Sequence, residues 1–192
     1  AVVKSYAMEE EQARRFEELG ATVEEADPGL ERCAEVFATL WFAGAGKVMA
    51  GIPEERHELL DPGFREIAQL GQQTGLHGYL DAAKQREAIT VAMCQFHETY
   101  DLLLTPALSL AAFAAGHNAP HDESGEQWAD WTPFSFPLHR TQQPAYPMPC
   151  GFTSEGLPVG LQIVGPRYRD DLVLRASRAF ETISPVVLPQ IG

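Results

Sequence analysis

The sequence predicts an α/β fold: a mixed β-sheet flanked by helices, incomplete in this chain. Three observations carry that prediction. Residues Leu80 to Tyr100 place Ala82, Ile89, Met93, Phe96 and Tyr100 on one helical face. Residues Ala145 to Phe152 and Leu157 to Val164 read as strands paired around the turn Ser154-Glu155-Gly156. A final helix follows Asp170 or Asp171 as cap, with an apolar stripe of Leu172, Ala176, Ala179, Phe180 and Ile183. These strands are too few to complete a large sheet, so one edge or face is expected to await a partner segment.

The remaining elements follow in order. Glu9 to Leu19 is charged and helix-forming, with Gly20 as C-cap. Ala21-Thr22-Val23-Glu24-Glu25 alternates as a short strand would, before the turn at Asp27-Pro28-Gly29. Leu30 to Val48 is apolar enough for a buried helix, weakened at its end by Gly44, Gly46 and Gly51. Ile52 to Pro62 is polar and turn-rich and reads as surface loop with a little helix. Leu102-Leu103-Leu104 is a short buried strand stopped by Pro106. The second strand of the hairpin has few polar side chains apart from Gln162, so it is expected to be central and covered on both sides.

Residues 110–138 behave differently. Gly116, Pro120, Gly125, Pro133 and Pro137 break any regular pattern, with Trp128 and Trp131 between them. A loop of that length inside a compact domain is functional or disordered, and two tryptophans that can bury large surfaces argue for function. With Phe134 and Phe136 they either line a pocket for an apolar substrate or form the core of the loop itself.

Composition narrows the class. The 192 residues, 45% hydrophobic and 21% charged, suit one globular domain with a real core. No apolar run reaches the ~20 residues of a membrane span. Lys4 is followed by polar, acidic sequence, which is not a signal-peptide pattern. The opening Ala1-Val2-Val3-Lys4-Ser5 runs directly into helix-like sequence with a poor cap, as expected of a chain cut from something longer or of a processed one. A net charge of −13 with scattered arginines does not suit phosphate gripping, which excludes direct nucleic-acid or anionic-membrane binding. Cys33, Cys94 and Cys150 form no CxxC pair, and an odd count without metal spacing suits a reducing, cytoplasmic compartment.

Candidate chemistry is sparse. His117 and His121 stand at i,i+4, but Pro120 between them opposes a regular helix, so no metal site is assigned. Cys150 and His139 could be proposed as nucleophile and base, yet Cys150 lies between Pro149 and Gly151 in strand-like sequence and reads first as a buried structural thiol. Gly151, Gly156, Gly160 and Gly165 do not precede a helix as a phosphate loop requires. Gly160, inside a strand, indicates close approach of another group.

One series of segments is specific in combination. Tyr100-Asp101-Leu102-Leu103-Leu104-Thr105-Pro106 is followed by Thr141-Gln142-Gln143-Pro144-Ala145, then by Pro149-Cys150-Gly151-Phe152 and Gly156-Leu157-Pro158-Val159-Gly160-Leu161-Gln162-Ile163-Val164-Gly165. In this order they resemble the C-terminal part of the amidase signature family, strongly from Tyr100 to Phe180 and weakly from about Met8. The stretch from Arg14 to Val23 also looks like the family's helix and strand past mid-chain.

The resemblance implies part of the amidase signature fold. It also implies hydrolysis of carboxamides by a nucleophilic serine, a second serine in a cis peptide and a lysine, through an acyl-enzyme. That triad belongs to a Gly/Ser-rich stretch upstream of the region seen here. The chain has no Gly-Gly-Ser-Ser run, and none of Lys4, Lys47 and Lys84 matches the catalytic lysine, so no catalytic residue is assigned. The expected partners are the N-terminal catalytic section of the same enzyme and a small-molecule amide. No cofactor is expected. Without its upstream section the chain should expose an apolar patch and dimerise or aggregate.

The candidate substrate-binding residues are Trp128, Trp131, Thr132, Phe136, His139 and Gln142, in and beside the long loop. Relatives often carry asparagine in place of His139 and a small residue or serine in place of Tyr146-Pro147, so the pocket and the local sheet edge are expected to differ here. The amidotransferase A subunits hold glutamine's amino group with an acidic residue, and by resemblance that position is Thr132, which favours a general amidase. A freestanding binding or assembly module derived from the same fold is the alternative.

Overall fold

The computed structural model describes residues 8–30, 33–117, 120–122, 125–126 and 132–187. The helices are α1 (Met8–Glu18), α2 (Cys33–Met49), α3 (Pro62–Gln72), α4 (Leu76–Thr99), α5 (Phe136–Thr141) and α6 (Asp170–Ile183), with a 3-10 helix at Glu54–Leu59. The strands are β1 (Leu103–Pro106), β2 (His121–Asp122), β3 (Gly125–Glu126), β4 (Ala145–Phe152) and β5 (Pro158–Val164). The main sheet has the order β1-β5-β4, antiparallel throughout, with β2 and β3 forming a separate short hairpin.

β5 is central and covered on both faces. Its period-two alternation sends Leu161 and Ile163 into a cluster with Phe16, Met148, Cys150, Val173 and Phe180. Val164 points the other way, joining Met93, Leu103 and Leu138. Thus α1 and α6 cover one face, where the Phe16 and Phe180 rings stack at 5.2 Å, and α4 and α5 cover the other. Pro147 and Pro149 cost β4 two ladder donors, which an edge strand tolerates, and a bulge follows between Pro149 and Gly151. The close approach expected at Gly160 is present: a Cβ there would lie 3.0 Å from the Ala107 methyl.

The helical layer is built around α2. Val36 and Leu40 pack with Ala82 and Ile89 of α4, and Ala45 and Met49 with Ile67 and Ala68 of α3. One glycine of α2, Gly46, has a packing role that composition alone does not reveal. A Cβ on Gly46 would lie 2.8 Å from the Gln72 nitrogen, and one on Gly71 would overlap the Phe42 carbonyl. The two absent side chains set how closely α2 and α3 cross.

Two expectations need correction, and one helix is not among those expected. Residues 21–25 form no strand: the Ala21 amide closes α1 by donating to the Phe16 carbonyl at 3.0 Å, and Val23 packs on the core without a neighbouring strand. α6 starts without a side-chain cap, because Asp171 pairs with Arg169 at 2.9 Å. Its buried face is Val173, Ser177 and Phe180, while Ile183 is exposed. α3 is a helix that the sequence pattern does not announce, although Asp61 caps it by accepting from the Phe64 amide at 3.0 Å and Pro62 opens its first turn.

Candidate functional site

Four of the six candidate residues, Thr132, Phe136, His139 and Gln142, lie in or beside α5, a short helix that follows the long loop. Its start is set by Ser135, whose amide donates to the Thr132 carbonyl at 3.1 Å, and by Pro137 in the first turn. Its end is set by Gln142, which adopts the left-handed conformation at φ 61° and ψ 31° and donates its amide to the Leu138 carbonyl at 2.9 Å. Gln162 locks this helix to the sheet. On the same face of β5 as Val164, its Nε2 donates to Thr105 Oγ1 and to the Phe134 carbonyl, both at 3.1 Å.

The structure separates the sequence-derived residues. Phe136 is buried and stacks on Phe37 of α2, with ring centroids 4.1 Å apart and planes 17° apart. Thr132 is half-buried ahead of α5. His139 is exposed on the outer side of the helix. Gln142 is also exposed and accepts from Arg167 at 2.7 Å through its Oε1. Trp128 and Trp131 lie outside the described residues. His117 is exposed, and no group of three or more potential metal ligands occurs among the described residues.

Cys150 is buried, and its Sγ donates to the Val159 carbonyl at 3.7 Å. Burial pushes its thiol pKa up, the opposite of what a nucleophilic thiolate needs. Burial likewise pushes the Cys33 thiol up to about 11.

Sequence reasoning assigns no role of their own to two residues of this region. Gln143, next to Gln142, is 7% exposed, and neither oxygen nor nitrogen of its amide has a protein partner. Such a group is expected to be met by water or by a further polypeptide surface. Arg140, at i+4 from Phe136, lays its guanidinium over the Phe37 ring at 4.7 Å. It closes one end of a cleft of about 380 Å³ between α2, α3 and α5, walled by Leu40, Trp41, Val48, Phe64 and Ile67.

Comparison with known proteins fixes the family. The Amidase family model matches residues 5–174. An acylamidase of Rhodococcus erythropolis is 34% identical over 178 residues, covering 88% of this chain and 37% of that protein. The A subunit of the glutamyl-tRNA(Gln) amidotransferase of Streptococcus pyogenes is 27% identical, covering 90% of this chain and 40% of that one. Among solved structures, a crystal structure of amidase superposes with a TM-score of 0.82 at 26% identity, over 92% of this chain and 41% of that chain. A bacterial aryl acylamidase of the amidase signature family, 23% identical, shares the fold with a TM-score of 0.80. The chain therefore spans about two fifths of the relatives it matches. With the tail motifs, the sheet built from them and a match over most of its length in agreement, this chain belongs to the Amidase family.

Proposed function

We propose that this chain is the C-terminal section of an amidase that hydrolyses a carbon–nitrogen amide bond through an acyl-enzyme. The carrying observation is the family match over residues 5–174 by a chain that spans only 37% of the acylamidase it resembles. The Ser–cis-Ser–Lys triad lies in an upstream segment, and this chain alone is inactive. In the reaction the serine oxygen attacks the amide carbon while lysine, through the bridging serine, takes its proton. The carbon–nitrogen bond breaks, the amine leaves with that proton, and water hydrolyses the acyl ester to release the carboxylic acid.

The role of this section is to complete the sheet and to wall the substrate funnel. Residues 110–138 form a funnel wall, with Trp128, Trp131, Thr132, Phe136, His139 and Gln142 shaping acyl preference. The buried Phe136 acts there through Phe37 rather than by touching substrate. The uncharged Thr132 and the 34% identity to an acylamidase support an N-acyl amide as substrate over glutamine. Among the described residues no further strand pairs with the outer sides of β1 and β4, which supports an upstream section as neighbour.

The intact mass of the protein from its native source tests this reading. A mass more than twice the 21.1 kDa of this chain is expected. A native mass equal to this chain would overturn it in favour of a non-catalytic binding or assembly module, the reading that the missing Gly/Ser-rich stretch also allows.

A further inference from the structure

The cleft between α2, α3 and α5 combines two features, an apolar wall and a cation. Its walls are apolar and aromatic: Leu40, Trp41 and Ala45 along one stripe of α2, and Phe64 and Ile67 from α3. Its end is a cation. Arg140 stacks on Phe37, which stacks on Phe136, so the guanidinium is held by aromatic faces rather than by a carboxylate. None of the described residues forms an ion pair with Arg140, and its Nε is buried without a partner. This occurs in a chain of net charge −13, where carboxylates outnumber cations almost two to one.

A neighbouring cation makes the imbalance sharper. Burial, and then repulsion from Arg86 of α4, hold the Arg140 guanidinium below its ordinary pKa. An anion placed between Arg140 and the apolar walls would relieve both effects. The volume of about 380 Å³ falls within the range of small-molecule pockets, about 300–1,000 Å³.

We propose that this cleft is a binding site for a small monocarboxylic acid with an aryl or alkyl body, the carboxylate on Arg140 and the body against Trp41 and Phe64. Arg140 offers the planar donor fork that matches a carboxylate, and its stacking on Phe37 fixes the fork's plane in advance. The site uses no serine or lysine and does not depend on the proposed amidase reading. It would select an acid over the corresponding amide, because only the acid neutralises the cation.

The test uses the 192-residue chain, with 3-phenylpropanoate and 3-phenylpropanamide as probes, followed by NMR shifts of the Trp41 indole and the Gly44 amide. Saturable binding of the acid is expected, at least tenfold tighter than the amide. Arg140→Gln should weaken acid binding tenfold or more, whereas Arg140→Lys should retain part of it. Gly44→Leu is the second variant, since a Cβ at Gly44 meets no atom within 4 Å and the side chain would fill the cleft while favouring the helix. It should abolish binding with thermal unfolding intact. No binding, equal binding of acid and amide, shifts confined to other regions, or an Arg140→Gln chain that binds unchanged would each overturn the proposal. Tighter binding of an acidic amphipathic peptide than of the acid would also overturn it, assigning the cleft to a polypeptide partner.

Discussion

The sheet layer and the helical layer of this chain are finished to different degrees. Around β5, Ile163, Val164 and Phe180 are wholly buried, and helices close both faces. Around α2 and α4, packing is close on the inside but large apolar side chains remain outside: Leu76 is 70% exposed, and Val48, Tyr79, Leu80 and Val91 are also exposed. α4 reflects this, since only Ala82, Ile89 and Met93 of its 24 residues are buried. A layer that holds its own core needs no partner to be stable, whereas one that leaves apolar side chains in water gains from being covered. The difference fits a piece whose sheet faces are closed by its own helices, while the outer strands of that sheet, with Tyr146, Phe152 and Leu174 exposed beside them, and the helical surface offer contact to more protein.

Substitutions in the two layers test that contrast. The largest loss is expected in the sheet layer. Phe180→Ala removes the ring stacked on Phe16 and should cost about 3–5 kcal/mol in chemical denaturation. In the helical layer the most sensitive point is a glycine rather than a large side chain. Gly71→Ala drives a methyl into the Phe42 carbonyl and should cost about 1–3 kcal/mol by forcing α2 and α3 apart. A comparable or slightly smaller loss, about 1–3 kcal/mol, is expected for Gln162→Leu, which strips the Phe134 carbonyl of its donor. Hydrogen exchange should show that loss first in α5. Smallest in stability is Leu76→Gln with Leu80→Gln, expected within about 0.5 kcal/mol per site. The pair should nevertheless reduce apolar dye binding and self-association in sedimentation, and equal dye binding before and after would remove the contrast.

Much of the sheet layer is legible in the sequence because strands announce themselves by alternation and turn residues. The hairpin of β4 and β5 and the central position of β5 follow from the run Leu157 to Val164 and the turn before it. Residues 21–25 alternate just as well, yet stay irregular, since a strand needs a partner and the described residues offer none there. α3 is hidden by its own punctuation. Pro62, Gly63 and Gly71 read as breakers, although Pro62 sits where a helix start accepts proline and Gly71 is the point of contact with α2. The expected stripe of α6 holds in part: Phe180 is wholly buried and Ala176 packs on the core, whereas Val173 and Ser177 replace Leu172 at the centre of the face and Ile183 is exposed.

The site is less legible than the fold. Phe136 stands out in the sequence, but its contact with Phe37 joins residues 99 positions apart, and no local pattern reports that. Arg140 looks like an ordinary surface cation, since its stacking on Phe37 is visible only in three dimensions. His139 and Gln142 are candidates by resemblance, and their exposure leaves room for contact with substrate or with an upstream section.

The most direct measurement is amide hydrolysis by this 192-residue chain and by the complete polypeptide from the native source, assayed side by side on an N-acyl anilide. Aniline release by the complete polypeptide is expected, and none above background by the chain alone. Sustained turnover by the chain alone would contradict the proposed division of labour, since the chemistry would then reside in residues that carry no serine–serine–lysine triad.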